Sequence, residues 1–360
     1  MSSQPDTPDA LGNPHVFQIP SLDGIRGVAV MLVVITHSGF AFASGALGVN
    51  VFFFLSGFLI TTLLRRERLK TGRVDFRNFY IRRALRIFPP MYVLLISATA
   101  LTLTNVLGPV PSVPVMAAQF LHLTNYMYAT GKQVLPGTLI MWSLSVEEHF
   151  YLIFPLAFTF LMTRPARQRF ALVAAACATI LLWRCIVVAI NFAPGVTGET
   201  WAYAASDTRM DSILWGAALA IFASPFYEPQ RAAVFDRPWL GVIALVVLVA
   251  SQGYRATWYS HTIRYSLQCL CFVPLFILAI KRPKMFPFTE LNRGLLPWIG
   301  TLSYALYLYH YLVIAVLKEY TSLSRPLMLV AALAITLPLC VASRDLIEGP
   351  AARLRKRFSS

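Results

Sequence analysis

Long apolar segments separated by short polar ones dominate the pattern of this 360-residue chain. Most are near the ~20 residues that an α-helix needs to cross a bilayer. A further apolar segment at 115–128 is too short to span and is expected to be re-entrant or interfacial. The sequence therefore predicts an all-α integral membrane protein, a polytopic bundle of about ten transmembrane helices. They are predicted at about 24–43, 46–64, 88–107, 138–162, 170–190, 207–223, 238–253, 264–280, 295–317 and 326–347.

Basic residues alternate between the loops, and this alternation predicts the orientation of the helices. Because basic loops remain in the cytoplasm, both termini are expected to be cytoplasmic. We predict a flexible cytoplasmic leader at 1–20, a membrane-embedded domain at 21–350 and a basic cytoplasmic tail at 351–360. The basic clusters lie at 65–86, 164–169, 231–237, 281–293 and 353–357.

The composition excludes an ordinary soluble protein. Hydrophobic residues make up 57% of the chain and charged residues 13%, whereas soluble domains carry about 25% charged residues. The net charge of +15 follows the loop alternation, so membrane lipids and not nucleic acid are the expected partners. The five cysteines lie in apolar segments without zinc-binding spacing, and we expect no metal site and no permanently bound cofactor.

Three polar side chains in the first apolar segment mark it as a candidate reaction site: Asp23, Arg26 and His37. Each charged group at membrane depth costs roughly 2.5–3.5 kcal/mol, so such groups usually have a partner or a function. On a helix, Arg26 and His37 project from one face, roughly 16 Å apart along the axis. Histidine suits acid–base chemistry near neutral pH. The alternative is an interfacial Asp–Arg pair with a histidine that is bonded to a backbone carbonyl.

Two consecutive carboxylates lie in the fourth predicted span. Glu147 and Glu148 diverge by about 100°, so one is expected to face the bundle and the other an interface. A buried glutamate can fix the tautomer of a histidine, as an acid does in catalytic triads.

The basic segment 65–86 carries more cations than topology requires. Arg82, Arg83 and Arg86 are suited to an anionic ligand such as a nucleotide phosphate, which arginine binds in bidentate fashion. We expect the following Pro89-Pro90 to break or kink the start of the third span. In the ninth span, His310 lies among tyrosines that are otherwise typical of an interfacial belt.

Taken together, six stretches resemble the membrane-bound acyltransferase family 3, which includes O-acetyltransferases of O-antigens and exopolysaccharides. They occur in the family's order through nearly the whole chain. The stretches are LDGIRGVAVMLVVITHS, GVNVFFFLSGFLI, FYIRRALRIFPPMY, WSLSVEEHFYLIFP, RMDSILWGAALA and LSYALYLYHYLV.

The resemblance implies an acyl-CoA donor, expected to be acetyl-CoA, and a multi-pass location in the bacterial cytoplasmic (inner) membrane. It places Arg26 and His37 in the catalytic centre, marks Glu147 as an important acid, and puts Arg83 and Arg86 near the donor. Asn50 departs from the family, many of whose members have Asp there. The C-terminal hydrolase-like domain of some members is not recognised, so we expect no second transfer step of that kind.

The hypothesis is O-acyl transfer to a hydroxyl of a cell-surface glycan, a lipid-linked sugar or a small-molecule glycoside. His37 is the expected general base, and Glu147 or Asp23 is expected to orient it. Arg26 either stabilises the thioester oxyanion or binds the donor, and both direct transfer and an acyl-histidine intermediate stay open. A proton-coupled transporter is the alternative, although no inverted repeat is recognised. The predicted donor-binding residues are Arg82, Arg83 and Arg86, and the predicted substrate-binding residues are Glu148, Asn50, Arg209 and His310.

Overall fold

The computed structural model describes residues 19–190 and 197–358, and within these ranges all regular structure is helical. The all-α prediction is confirmed for this part of the chain, whereas the predicted leader at 1–20 lies almost entirely outside it. The helices are α1 (Pro20–His37), α2 (Gly45–Thr71), α3 (Phe76–Leu103), α4 (Val113–Phe120), α5 (Thr124–Ala129), α6 (Met141–Met162), α7 (Ala166–Ile190), α8 (Gly198–Ala204), α9 (Ser206–Phe222), α10 (Pro229–Phe235), α11 (Pro238–Gly253), α12 (Thr257–His261), α13 (Ile263–Lys281), α14 (Phe288–Leu291), α15 (Leu295–Thr301), α16 (Ser303–Tyr320), α17 (Arg325–Ser343), a π-helical turn (Arg344–Glu348), α18 (Gly349–Arg355) and a 3-10 turn (Lys356–Phe358).

Seven helical runs in the described part of the chain are long and apolar enough to cross a membrane. They are α1, α2, α3, α6, α7, α13 and the run Arg325–Phe358. The pairs α10–α11 and α15–α16 bend by 59° and 80°, and counting each as one span gives nine. Helix α9 coincides with the sixth predicted span, but its 17 residues extend only about 26 Å, less than the ~30 Å hydrocarbon core. The architecture is therefore that of a multi-pass membrane bundle, and the count of ten stays a prediction.

The basic segment 65–86 lies mostly in α2 and α3, and the predicted loop is reduced to residues 72–75. Helix α2 continues through Thr71 and ends at Gly72, whose left-handed φ of 77° reverses the chain. Asp75 then caps α3 by accepting a hydrogen bond from the Asn78 backbone N–H at 3.0 Å.

Pro89 and Pro90 lie inside α3, so the expected break of the third span is wrong, and a kink there stays a prediction. Membrane helices tolerate proline where neighbouring side chains bond the backbone. The Tyr304 hydroxyl donates a hydrogen bond of 2.6 Å to the Ile87 carbonyl, next to the two carbonyls that the prolines leave without an intrahelical donor. The continuous helix directs its arginines to different sides.

The segment 115–128 forms the short helices α4 and α5, of 8 and 6 residues, which agrees with the prediction that it does not span. Buried Gln119 connects α4 to the segment that precedes α6. Its amide nitrogen donates to the Thr138 hydroxyl, and its amide oxygen accepts from the Leu135 backbone N–H, both at 2.8 Å.

A buried ion pair joins α7 to α9. Arg184 and Asp211 are both fully buried, and their side chains approach to 2.8 Å. Arg184 also donates to the Thr208 carbonyl and the Ser266 hydroxyl, and the latter donates to Asp211. Every charged atom of this pair therefore has a partner, which is the condition under which buried charges are tolerated.

Helix α2 packs against α1, α6, α9 and α13, and its closest approach is to α9. A Cβ atom on Gly57 would overlap the Ile213 carbonyl, and one on Gly216 would overlap the Phe54 carbonyl. Glycine has no side chain, so it allows two membrane helices to approach this closely. Such close packing matters in lipid, where the hydrophobic effect does not drive helices together.

We expect Gly57→Ala to destabilise the bundle by about 1–3 kcal/mol, because the new methyl group must displace the α9 backbone. Thermal unfolding in detergent measures the effect as a lower Tm. Gly253→Ala is the matched control, since a Cβ atom there meets no atom within 4 Å. Equal Tm values for the two variants would contradict the predicted close packing.

Candidate active site

A cavity of about 130 Å³ lies where α1, α2, α3, α6 and α16 meet. Its polar lining combines cationic, acidic and hydroxyl side chains in an otherwise apolar bundle. These side chains are Arg26, Ser56, Arg83, Arg86, Ser143, Glu147, Tyr151, Ser303, Tyr304 and Tyr307. Because ionisable groups at membrane depth mark functional sites, the cavity is the first candidate.

The spacing of Asp23 and Arg26 on α1 brings the two side chains together, as in the alternative of an Asp–Arg pair. The two side chains are three residues apart and form a salt bridge of 2.5 Å. Arg26 lines the cavity, whereas the buried carboxylate of Asp23 holds the guanidinium from outside the cavity lining. Asp23 therefore contacts the Arg26 guanidinium in the structure, and its role in catalysis stays a prediction.

Glu147 reaches the cavity wall and Glu148, one residue on, does not belong to that wall as the described residues form it. This agrees with the predicted divergence of the two carboxylates. The Tyr151 hydroxyl donates to Glu147 at 3.2 Å and is also hydrogen-bonded to Ser56. Tyr151 is not among the predicted site residues, although a position four residues after Glu147 lies on the same helix face.

The three predicted donor arginines separate into two groups. Arg83 and Arg86 line the cavity, and the Arg83 guanidinium lies over the Tyr151 ring at 5.3 Å. Arg82 is turned away, because it forms a salt bridge of 2.8 Å with Glu67 and donates to the Phe358 carbonyl at 2.7 Å. The cavity thus has three guanidinium groups and one carboxylate, a balance that favours an anionic ligand.

His37 lies at the last residue of α1 and contacts His310 of α16. The distance from His37 Nδ1 to His310 Nε2 is 2.9 Å, and His310 Nδ1 lies 2.8 Å from the Leu306 carbonyl. A carbonyl only accepts, so the His310 proton is assigned to Nδ1 and its Nε2 accepts from His37 Nδ1–H. This assignment leaves the lone pair of His37 on Nε2.

His310, and not Glu147 or Asp23, is the residue that contacts the His37 ring nitrogen in the structure. Asp23 binds Arg26, and Glu147 accepts a hydrogen bond from Tyr151, so the expected orienting roles of both acids stay predictions. The two histidines are 273 positions apart, and sequence spacing carries no signal for such a contact.

The His37–His310 pair lies beyond one wall of the cavity. Tyr307 lines the cavity, and its hydroxyl is hydrogen-bonded to the Ser143 hydroxyl at 2.6 Å. The Tyr307 ring also packs against the His310 ring, with the ring centroids 6.0 Å apart. The cavity and the histidine pair are therefore adjacent along α16 and separated by this tyrosine.

Asn50 and Arg209 form a separate buried cluster outside the cavity lining. Asn50 donates to the Tyr265 carbonyl and to Gln268, each at 3.0 Å, and Arg209 lies 3.5 Å from the Asn50 amide oxygen. The Arg209 guanidinium stacks on the Tyr265 ring at 3.7 Å.

Of the predicted site residues, the cavity brings together four, namely Arg26, Arg83, Arg86 and Glu147. Glu148, Asn50 and Arg209 do not belong to its described lining.

The fold and this site define a multi-pass helical membrane protein with ionisable side chains gathered in an interior cavity. Residues 19–345 match the family model of the acyltransferase 3 domain, described as an acyltransferase domain. The chain belongs to this family, and the resemblance seen in its six stretches is confirmed.

Named relatives agree with this assignment. O-acetyltransferase OatA of Staphylococcus aureus is 31% identical over 320 residues, which cover 84% of this chain and 51% of the relative. Peptidoglycan O-acetyltransferase OatA of Listeria monocytogenes is 29% identical over 334 residues, which cover 86% of this chain and 51% of the relative. The chain thus spans about half the length of the curated relatives it matches. No solved structure matches it.

Proposed function

We propose that this protein is a membrane-bound O-acyltransferase that moves an acetyl group from acetyl-CoA to a hydroxyl of a cell-surface glycan. Family membership supports the reaction class, and the relatives named O-acetyltransferases support the acyl group and the acceptor. Lipid-linked sugars and small-molecule glycosides offer the same hydroxyl chemistry and are the other acceptors to compare. The relatives give no support to a transporter. The proposal includes ten spans, cytoplasmic termini and location in the bacterial inner membrane.

The observation that carries the proposal is the meeting of Arg26, Arg83 and Arg86 in one cavity. Guanidinium groups bind phosphate oxygens with short, charge-assisted hydrogen bonds. Glu147 offsets part of their mutual repulsion when the donor is absent. Since Arg26 and His37 are separated by roughly 16 Å along α1, we assign Arg26 to donor binding and not to the thioester oxyanion.

His37 is the proposed general base. Its Nε2 lone pair accepts the proton of the acceptor hydroxyl, and the oxygen attacks the thioester carbonyl carbon. The carbon–sulfur bond then breaks, and the thiolate takes the proton from the imidazolium. The products are an O-acyl ester and free CoA thiol, and His310 holds the imidazole in the required tautomer throughout.

For Arg86→Gln we expect kcat/KM for acetyl-CoA to fall by about ten- to hundredfold, mainly through KM, because a charge-assisted contact to the donor is lost. This kcat/KM is measured from the release of CoA thiol by the purified protein, with and without a glycan acceptor. Arg77→Gln is the matched control on the same helix, because Arg77 does not belong to the described cavity lining. A wild-type protein that binds acetyl-CoA but transfers no acetyl group to any of the three acceptor classes would refute the proposed function.

A further inference from the structure

Tyr307 lies at the end of the cavity that is nearest to the histidine pair. The described lining of the cavity on α16 consists of Ser303, Tyr304 and Tyr307 and does not include His310. Tyr307 and His310 are three residues apart, so they lie on one face of the helix, about 4.5 Å apart along its axis. Along this face of α16, the Tyr307 side chain therefore stands between the cavity and the histidine pair.

We propose that Tyr307 sets the largest acyl group that the protein can transfer. This inference rests on the proposed function, in which three arginines of the cavity bind the donor phosphates and the thioester meets His37. The acyl group is the leading end of such a donor, so it has to pass Tyr307 before the thioester carbonyl reaches the base. A short group such as acetyl passes, whereas a longer acyl chain meets the tyrosine ring.

The cavity extends from Arg26 in the direction of His37. Val49 of α2 belongs to the cavity lining. The glycine that precedes it packs against α1 at Ala29 and Val33. The cavity therefore reaches the level of the residues between Arg26 and His37, and a donor arm that starts at the arginines can run beside α1 as far as the tyrosine.

Contacts with two other helices hold Tyr307 in this position. At the start of α6, its hydroxyl donates to the Ile140 carbonyl at 3.1 Å and is hydrogen-bonded to the Ser143 hydroxyl at 2.6 Å. Its ring packs edge-on against the Phe52 ring of α2, with the ring centroids 6.0 Å apart. A longer acyl chain has to displace this ring and break both hydrogen bonds, and only the longer substrate bears that cost.

A selective role and a purely structural role for Tyr307 have different consequences. If the side chain only filled the bundle, its removal would lower stability and affect every donor alike. If it limits the acyl group, its removal changes the preference between donors of different acyl length. The ratio of two donors therefore distinguishes the two roles.

The test compares the purified full chain with its Tyr307→Ala variant, using acetyl-CoA, butyryl-CoA and hexanoyl-CoA. For each donor, kcat/KM is measured from the glycan-dependent release of CoA thiol, and Kd is measured directly. The wild-type protein should prefer acetyl-CoA. In Tyr307→Ala, the ratio of kcat/KM for hexanoyl-CoA to that for acetyl-CoA should rise by about ten- to two-hundredfold, the range over which one methylene group alters the specificity of an apolar pocket.

Tyr309→Ala is the matched control. Tyr309 lies on the same helix but outside the described cavity lining, and its hydroxyl contacts the Pro90 carbonyl and the Ser343 hydroxyl. Its ratio of hexanoyl-CoA to acetyl-CoA should equal that of the wild-type protein. An unchanged ratio in folded Tyr307→Ala, or an equal rise in Tyr309→Ala, would overturn the inference.

Two milder variants cover the case in which Tyr307→Ala does not fold. Tyr307→Phe and Ser143→Ala each remove the hydrogen bond between the two hydroxyls, and each should raise the ratio several-fold. The double variant should match Tyr307→Phe, because the two changes break the same hydrogen bond. Wild-type ratios in both single variants would contradict the proposed role of Tyr307.

Binding separates this inference from the proposed function. In a protein that binds acyl-CoA but transfers no acyl group, the comparison is made with the Kd values. A lower Kd for hexanoyl-CoA relative to acetyl-CoA in Tyr307→Ala would then leave the inference standing while the proposed function fails. Transfer of acetyl groups with an unchanged donor ratio would have the opposite meaning.

Discussion

We expect His37→Ala to lower the rate of glycan-dependent CoA release by about 10²–10⁴-fold, the contribution of a well-placed general base. The Leu306 carbonyl accepts a hydrogen bond from His310 Nδ1, and His310 Nε2 accepts one from His37 Nδ1. This arrangement leaves the lone pair of His37 Nε2 available to take the proton. The assay follows CoA thiol released from acetyl-CoA in the presence of glycan. CoA affinity should stay near the wild-type value, because the histidine pair lies outside the cavity lining.

His261→Ala is the matched control, since His261 lies at the end of α12 and its nearest carboxylate, Glu199, is 3.8 Å away. The positioning role of His310 is tested separately by His310→Gln, which should alter the pH profile of kcat as well as its size. Release by His37→Ala at the wild-type rate would show that the histidine pair is structural and that another group takes the proton.

The second large effect is on stability. We expect Asp211→Ala to destabilise the protein by about 3–5 kcal/mol, because Arg184 is then a fully buried charge without its carboxylate. Chemical or thermal unfolding in detergent measures the loss. Activity per folded molecule should change little, since Asp211 does not belong to the described cavity lining.

Two further variants sharpen this prediction. Asp345→Ala removes one member of an exposed pair with Arg344 and should leave the Tm unchanged. Arg184→Met/Asp211→Leu removes both buried charges and should recover much of the lost stability, as replacement of a buried pair by apolar residues often does. Equal destabilisation by the single and double variants would attribute the effect to packing and not to charge.

The sequence predicts well those features that depend on local helix geometry. The pairing of Asp23 with Arg26 and the divergence of Glu147 from Glu148 both follow from 100° per residue, and both occur in the structure. The long apolar runs likewise predict the membrane helices, because length and hydropathy alone define them.

Features that depend on contacts between distant segments are not predictable in this way. The partner of His37 comes from α16, and those of Arg82 are Glu67 on α2 and the Phe358 carbonyl. The rotation of about 100° per residue separates Arg82 from Arg83, but which of them faces the cavity depends on how α3 packs in the bundle. A helix break at Pro89-Pro90 is what a soluble protein would favour, whereas membrane helices accept proline more readily because neighbouring groups can bond the freed backbone.

The position of Arg26 and His37 on one uninterrupted helix has a consequence for donor choice. A helix is stiff along its axis, so their axial separation of roughly 16 Å stays nearly constant however the surrounding helices move. In the proposed reaction, a thioester anchored by Arg26 has to extend over that distance before its carbonyl carbon meets the base. Helix α1 would then select donors by the length of the arm between anchor and thioester, independently of the acyl group they carry.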